Sequence, residues 1–115
     1  MDDCIFCAIA SGETKADIVF DGRDTVFFRD IHPKAKVHIV GIPKQHLTSL
    51  DAMTAADQAL VGKLLHDAAH VAEEAGVTAT GYRVITNVGG DAGQEVQHLH
   101  FHILGGERLG PLNVR

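Results

Sequence analysis

Positive charge, cysteine and long apolar runs are all scarce in this chain, and each scarcity narrows what it can do. Ten lysines and arginines face fifteen aspartates and glutamates among 115 residues, a formal net charge of −5. A nucleic-acid polymer is not expected as a partner, because binding one relies on clustered basic side chains that neutralise phosphates and release counterions. A small phosphorylated ligand stays open, since backbone N–H groups and histidines can hold one or two phosphates without a basic surface. No apolar stretch approaches the ~20 residues that span a bilayer, and the opening MDDCIFCAIASGE has no basic segment ahead of its apolar part. No membrane partner is expected, and a cytoplasmic location is. The only cysteines are Cys4 and Cys7, spaced C-I-F-C. In a cytosolic protein that spacing suggests a metal or a redox pair before a structural disulfide.

Internal repeats, low-complexity tracts and Pro/Gly/Ser linkers are also missing, so residues 1–115 are expected to form one domain, able to bury roughly two-thirds of its unfolded surface. A short helix is expected over Cys4 to Ala10, capped by Asp2 or Asp3, with Ile5, Phe6 and Ile9 on its apolar stripe and Gly12 as its stop. IVFD (18–21) and TVFFR (25–29), joined by G-R-D, read as a hairpin, and VHIVGI (37–42) as a third strand. Leu60, Val61, Leu64, Leu65, Ala68, Val71, Ala72 and Ala75 follow helical spacing between a Thr54/Asp57 cap and Gly76. YRVIT (82–86) and LHFHIL (99–104) complete five strands around the glycine-rich turn NVGGDAGQ. Strand pairs before and after the long helix, rather than strict alternation, predict an α+β fold with a mostly antiparallel sheet.

The histidines carry the chemistry. In QHLHFHILGG, His98, His100 and His102 alternate with Leu99, Phe101 and Ile103. On a strand, three imidazoles then share one face while the apolar residues face the core. Two functions fit. Neutral imidazoles chelate zinc, but no Asp or Glu sits beside the run as a further ligand or base, although Asp91 and Glu95 are near in sequence. Alternatively one imidazole attacks phosphorus while its neighbours fix its tautomer and supply protons. The preceding turn favours the second: Gly89, Gly90 and Gly93 allow backbone N–H groups to converge on an anion, and Asn87 and Gln94 add neutral donors. His66 and His70, spaced i, i+4 on the long helix with Lys63, Asp67 and Glu74 nearby, read as a solvated face. His32 is given no role.

H-L-H-F-H-I-L resembles the signature of the histidine triad (HIT) proteins. Further likeness covers DIHPKAKVHIVGIPKQH (30–46) and GYRVITNVGGDAGQEVQH (81–98), and L-G-G-E-R-L-G-P is similar to the Hint branch, the nucleoside phosphoramidases. The resemblance implies a five-stranded antiparallel sheet with one long and one short helix, continued into ten strands across a homodimer. It also implies hydrolysis of purine nucleoside 5′-phosphoramidates, with AMP or GMP as product; a dinucleoside polyphosphate hydrolase of the Fhit kind, which the L-G-G ending speaks against, and a non-catalytic purine nucleotide-binding or scaffold protein are the alternatives. His100 would be the nucleophile, His102 would contact phosphate and leaving group, and His98 would orient its neighbours, with His38 as a fourth active-site histidine. Asp30 would hold the ribose hydroxyls, Ile5, Phe6, Ile9 and Phe28 the purine, and Asn87, Gln94 and Val96 the phosphate end. Glu95, also at the nucleotide, stands where many relatives have a serine that donates to the leaving group, and its backbone N–H would still reach the phosphate. A nitrogen nucleophile with pKa near ~6.5 suits neutral pH, needs no metal, and a neighbouring imidazolium would protonate the leaving amine.

For Cys4 and Cys7, i, i+3 on the first helix, burial as small hydrophobes stays open; a thioredoxin-like pair lacks a preceding strand. The third reading is zinc in a Cys2His2 set. Some bacterial histidine triad proteins carry such a structural zinc, and by that resemblance the other ligands would be His46 and His98.

Overall fold

The protein is described by a computed structural model over residues 4–112. Its first helix, α1 (Ile5–Ser11), begins one residue later than the spacing predicts. Asp2 and Asp3 lie outside the described residues. The cap is Cys4, whose Sγ accepts the Cys7 N–H at 3.3 Å. Gly12 closes the helix at φ 86°, a left-handed conformation that side chains resist.

β1 (Ile18–Asp21) and β2 (Thr25–Arg29) form the expected hairpin. β3 (Val37–Pro43) pairs with β2, and β5 (Phe101–Gly105) lies between β3 and β4 (Tyr82–Ile85). All pairings are antiparallel, in the order β1-β2-β3-β5-β4. The expected α+β architecture therefore stands. The long helix α2 (Gln58–Glu74) is preceded by a 3-10 turn, Ala55–Asp57, where Thr54 and Asp57 form a reciprocal capping box. The capping residues are those expected, but the α-helix proper starts four residues after Thr54.

Period-two alternation divides the sheet into two faces. Phe27, Ile39, Phe101 and Ile103 meet Leu64, Ala68, Val71 and Ala72 of α2 on one side. Each such fully buried large side chain contributes roughly 1.5–3 kcal/mol. Val26, Phe28, Val40 and Ile42 meet Phe6, Ile9 and Ala10 of α1 on the other. Gly41 lies opposite Phe27, whose ring covers it so closely that a Cβ there would clash with Cε2.

Two local expectations need correction. Asp67, assigned to the solvated face of α2, is 4% exposed. It accepts the Thr25 hydroxyl at 2.7 Å, with Lys63 Nζ at 3.6 Å and His66 Nδ1 at 3.4 Å. Burial opposes its charge, but these partners outweigh it and hold the carboxyl below its usual range. Its neighbours His66 and His70 do lie on the exposed face. The second correction concerns the last strand, which begins at Phe101 rather than Leu99. Leu99 N–H donates to the Leu47 carbonyl and His98 Nε2 bonds the Pro43 carbonyl, so 98–100 is tied to the chain leaving β3 instead of joining the ladder.

Candidate active site and metal-ligand cluster

Because 98–100 leaves the strand geometry, the three alternating imidazoles do not face one volume. His98 is completely buried and turned toward α1, whereas His100 and His102 line a cavity of about 390 Å³. Cross-strand register sets the floor of that cavity. Val40 lies opposite His102, and His38 opposite Leu104. Phe6, Asp30, Asn87, Glu95 and Val96 complete the expected part of the wall. A larger hollow of 540 Å³, at Thr80–Arg83 and Gly106–Leu109, contains none of these histidines.

Backbone hydrogen bonds assign the ring nitrogens, since a carbonyl only accepts and an amide N–H only donates. His100 Nδ1 lies 2.7 Å from the His98 carbonyl and must carry its proton, which leaves Nε2 as the free lone pair. The His100 carbonyl in turn accepts the Thr86 hydroxyl at 2.7 Å. Phe6 packs edge-on against the His100 ring at 5.1 Å. The ring is thus held by a backbone carbonyl at Nδ1 and by the edge-on Phe6 ring, and the His100 backbone is anchored by the Thr86 hydroxyl.

At the other end of the cavity, Lys34 N–H donates to His38 Nδ1 at 3.0 Å. His38 therefore carries its proton on Nε2, which faces His102 Nδ1 at 2.9 Å and the Asp30 carboxylate at 3.4 Å. His102 then keeps its own proton on Nε2. Burial, with His100 and His38 alongside, lowers the His102 pKa to about 4. Burial likewise lowers that of His38, with Asp30 opposing and Lys34 assisting. The imidazolium expected beside the nucleophile is therefore replaced, in the free protein, by a neutral imidazole. Asp30, His38 and His102 also lie close enough to share a metal. The Lys34 amide argues against that use, because it holds the proton on the His38 nitrogen that would have to bind the ion.

The reverse holds behind the cavity. His98 Nε2 donates to the Pro43 carbonyl at 2.9 Å, so its Nδ1 lone pair points at Cys4 Sγ, 3.2 Å away, and Cys7 Sγ, 3.5 Å away. Cys7 Sγ lies 3.3 Å from His46 Nδ1, and the four ligand atoms are all within 4.8 Å of one another. A tetrahedral zinc with ordinary bond lengths has S···N edges of roughly 3.6 Å, so the donor set fits. The Pro43 carbonyl supplies the outer-shell partner that fixes a ligating histidine. Burial and the neighbouring Cys4 raise the Cys7 thiol above its usual range, so metal binding must displace protons.

Several residues named from the sequence lie off the cavity wall. Of the four apolar candidates only Phe6 lines it; Phe28 backs Phe6 at 5.5 Å, Ile9 lines a separate hollow, and Ile5 is 46% exposed. Gln94 spends its side chain inside the loop, accepting from Gly89 N–H and donating to the Thr48 and Val96 carbonyls. Gly93, named with the glycine-rich turn, lines the cavity; missed were His32, Lys34, Val40, Ile85 and Leu104. Val40 and Leu104 were within reach, two residues from His38 and His102 on the same strand faces; Ile85 needed the β4–β5 register.

Comparison with known proteins agrees with this geometry. The HIT domain family matches residues 11–109. Protein HitA of Neisseria gonorrhoeae is 42% identical over 105 residues, covering 91% of this chain and 97% of its own. The purine nucleoside phosphoramidase of Escherichia coli K12 is 38% identical over 111 residues, covering 96% and 93%. Among solved structures, a HIT family hydrolase from Clostridium thermocellum superposes with TM-score 0.94 at 36% identity, covering 99% of each chain. A histidine triad protein from Clostridium difficile gives 0.94 at 40% identity, covering 98% of each. With the fold shared along its length and the triad motif in place, the chain belongs to the HIT domain family and is a hydrolase of the histidine triad kind.

Proposed function

We propose that the protein hydrolyses purine nucleoside 5′-phosphoramidates to the nucleoside monophosphate and an amine through a nucleotidyl-histidine. The observation that carries this reading is the His100 ring, which lines the cavity and whose Nδ1–H is committed to the His98 carbonyl, so that the neutral ring carries its lone pair on Nε2. His100 Nε2 attacks phosphorus as the P–N bond to the amine breaks, and water then cleaves the His100–phosphorus bond. Asp30, with Oδ1 already orienting the 30–32 turn, presents acceptor lone pairs suited to two ribose hydroxyls. Phe6 gives the purine an apolar wall.

His102 supplies the proton for the amine. A phosphoryl oxyanion beside it offsets the burial that keeps it neutral, so proton uptake accompanies substrate binding. The extra proton enters at Nδ1, and the His38 Nε2–H then turns from His102 to the Asp30 carboxylate 3.4 Å away. Zinc in the Cys4, Cys7, His46 and His98 cluster would be structural, holding α1 and Phe6 against the nucleophile. None of the steps passes through it.

The name of the E. coli relative supports the substrate class. β4, an outer strand of the sheet with Val84 39% exposed, supports a homodimer in which two five-stranded sheets join. Incubating wild type and His100→Ala with adenosine 5′-phosphoramidate in excess chelator tests the chemistry. AMP from wild type alone, with a covalent nucleotide adduct seen by mass, is expected. Equal rates in both, or no AMP from either, would overturn the reading.

A further inference from the structure

The cavity has a direction. Asp30 docks at the start of β3, where its N–H donates to the His38 carbonyl at 3.0 Å. The loop carrying Gly93, Glu95 and Val96 docks beyond the other end of β3, through Gln94 Nε2 to the Thr48 carbonyl at 2.8 Å. His102 and His100 lie between, His102 beside Val40 and His100 one step further along the same face. A nucleoside held at Asp30 with its phosphorus at His100 keeps the departing nitrogen within reach of His102, whose ring lies 5.1 Å from that of His100, and the rest of the leaving group extends toward Glu95.

Glu95 is the second carboxylate of the cavity wall, and its situation differs from that of Asp30. Asp30 is engaged by the His32 N–H and by His38. Glu95 is exposed at the mouth, and among the described residues it forms neither a hydrogen bond nor an ion pair with another side chain. Its loop cannot swing freely, because Gln94 is bonded to Gly89, Thr48 and Val96. The cation on the same wall, Lys34, belongs to the Asp30 end, with Nζ on the His32 carbonyl at 3.1 Å. A carboxylate at the exit repels an anionic leaving group and attracts a cationic one.

Resting on the phosphoramidase reading above, we propose that Glu95 determines leaving-group specificity, favouring phosphoramidates whose departing amine bears a second, positively charged amino group. The class includes diamines and longer polyamines. Phosphate or carboxylate leaving groups are disfavoured by the same charge.

Three substrates test this: adenosine 5′-phosphoramidates of ethylenediamine (cationic), propylamine (neutral) and β-alanine (anionic), compared by kcat/KM in wild type, Glu95→Gln and Glu95→Lys. Wild type should prefer the cationic over the neutral substrate by about fivefold at low salt, the scale of one partly exposed ion pair, and the neutral over the anionic by a similar factor. Salt at about 0.5 M should compress both ratios, since the Debye length falls below the reach of the interaction. Glu95→Gln should bring the ratios toward one, and Glu95→Lys should invert them. Turnover with ratios unchanged in Glu95→Gln overturns this inference and leaves the phosphoramidase reading standing. No turnover of any phosphoramidate by wild type overturns both.

Discussion

Adding or removing zinc should move the stability of this protein, and the amount follows from the donor set. Cys4 and Cys7 are joined through the cluster to His98, 94 residues from Cys4, and to His46, 39 residues from Cys7. Those ligands come together only when α1 is docked, so an ion bound there stabilises the folded state by RT ln(1 + [L]/Kd). Each tenfold increase in free zinc above Kd then adds about 1.4 kcal/mol. With an unfolding entropy of about 2.1 cal/mol/K per residue, a chain of this length gains roughly 6 °C in Tm per decade. The assay is thermal unfolding followed by circular dichroism across a zinc-buffer series at constant pH. Cys7→Ser should flatten the line, because a hydroxyl is a poor zinc ligand and the remaining three donors cannot close the tetrahedron. The slope should begin at higher zinc as pH falls, since the raised Cys7 thiol must first lose its proton. A wild-type Tm independent of zinc, or equal slopes in wild type and Cys7→Ser, would refute the assignment.

Three further outcomes are expected. His102 titrates at about 4 when folded but near 6.5 when unfolded, so the unfolded chain binds more protons below pH 6.5. Its contribution is complete above that pH and lost as pH falls toward 4, up to roughly 3 kcal/mol; urea titrations in chelator should give a shallower pH slope for His102→Asn, and identical slopes would contradict the half-buried neutral ring. Gly41→Ala forces a methyl into the Phe27 ring and should cost about 2–3 kcal/mol in the same assay, whereas a neutral result would mean that the core yields there. Thr25→Val removes the 2.7 Å bond to the buried Asp67 and should cost about 1–3 kcal/mol with phosphoramidate turnover unchanged, because neither residue lines the cavity; a matching loss of kcat would show that α2 is coupled to the site.

Elements with a strong local period were legible from residues alone. The hairpin, β3 and the core stripe of α2 fall where alternation and helical spacing place them, because side-chain direction repeats with the backbone. Asp67 was misplaced because its charge suggested solvent, while the partners that make burial tolerable, Thr25 on β2 and Lys63 one turn back, include one 42 residues distant. The last strand was extended too far for a related reason. Alternation at 98–104 is continuous, yet the carbonyls of Leu47 and Pro43 capture 98 and 99 before the ladder begins.

From the sequence by itself come the family motif, the sheet and the residue types able to do phosphoryl chemistry: alternating histidines after a glycine-rich loop, a second histidine strand, and a cysteine pair at helical spacing. Tertiary structure decided the division among the histidines. His98 and His100 differ by two residues and share one side-chain type, but the Pro43 carbonyl leaves His98 Nδ1 as a ligand for the cysteines, and the His98 carbonyl leaves His100 Nε2 free toward the cavity. A ring's tautomer is set by which nitrogen meets an obligate acceptor. That acceptor is a backbone carbonyl whose position depends on the fold and leaves no trace in the local pattern of side chains.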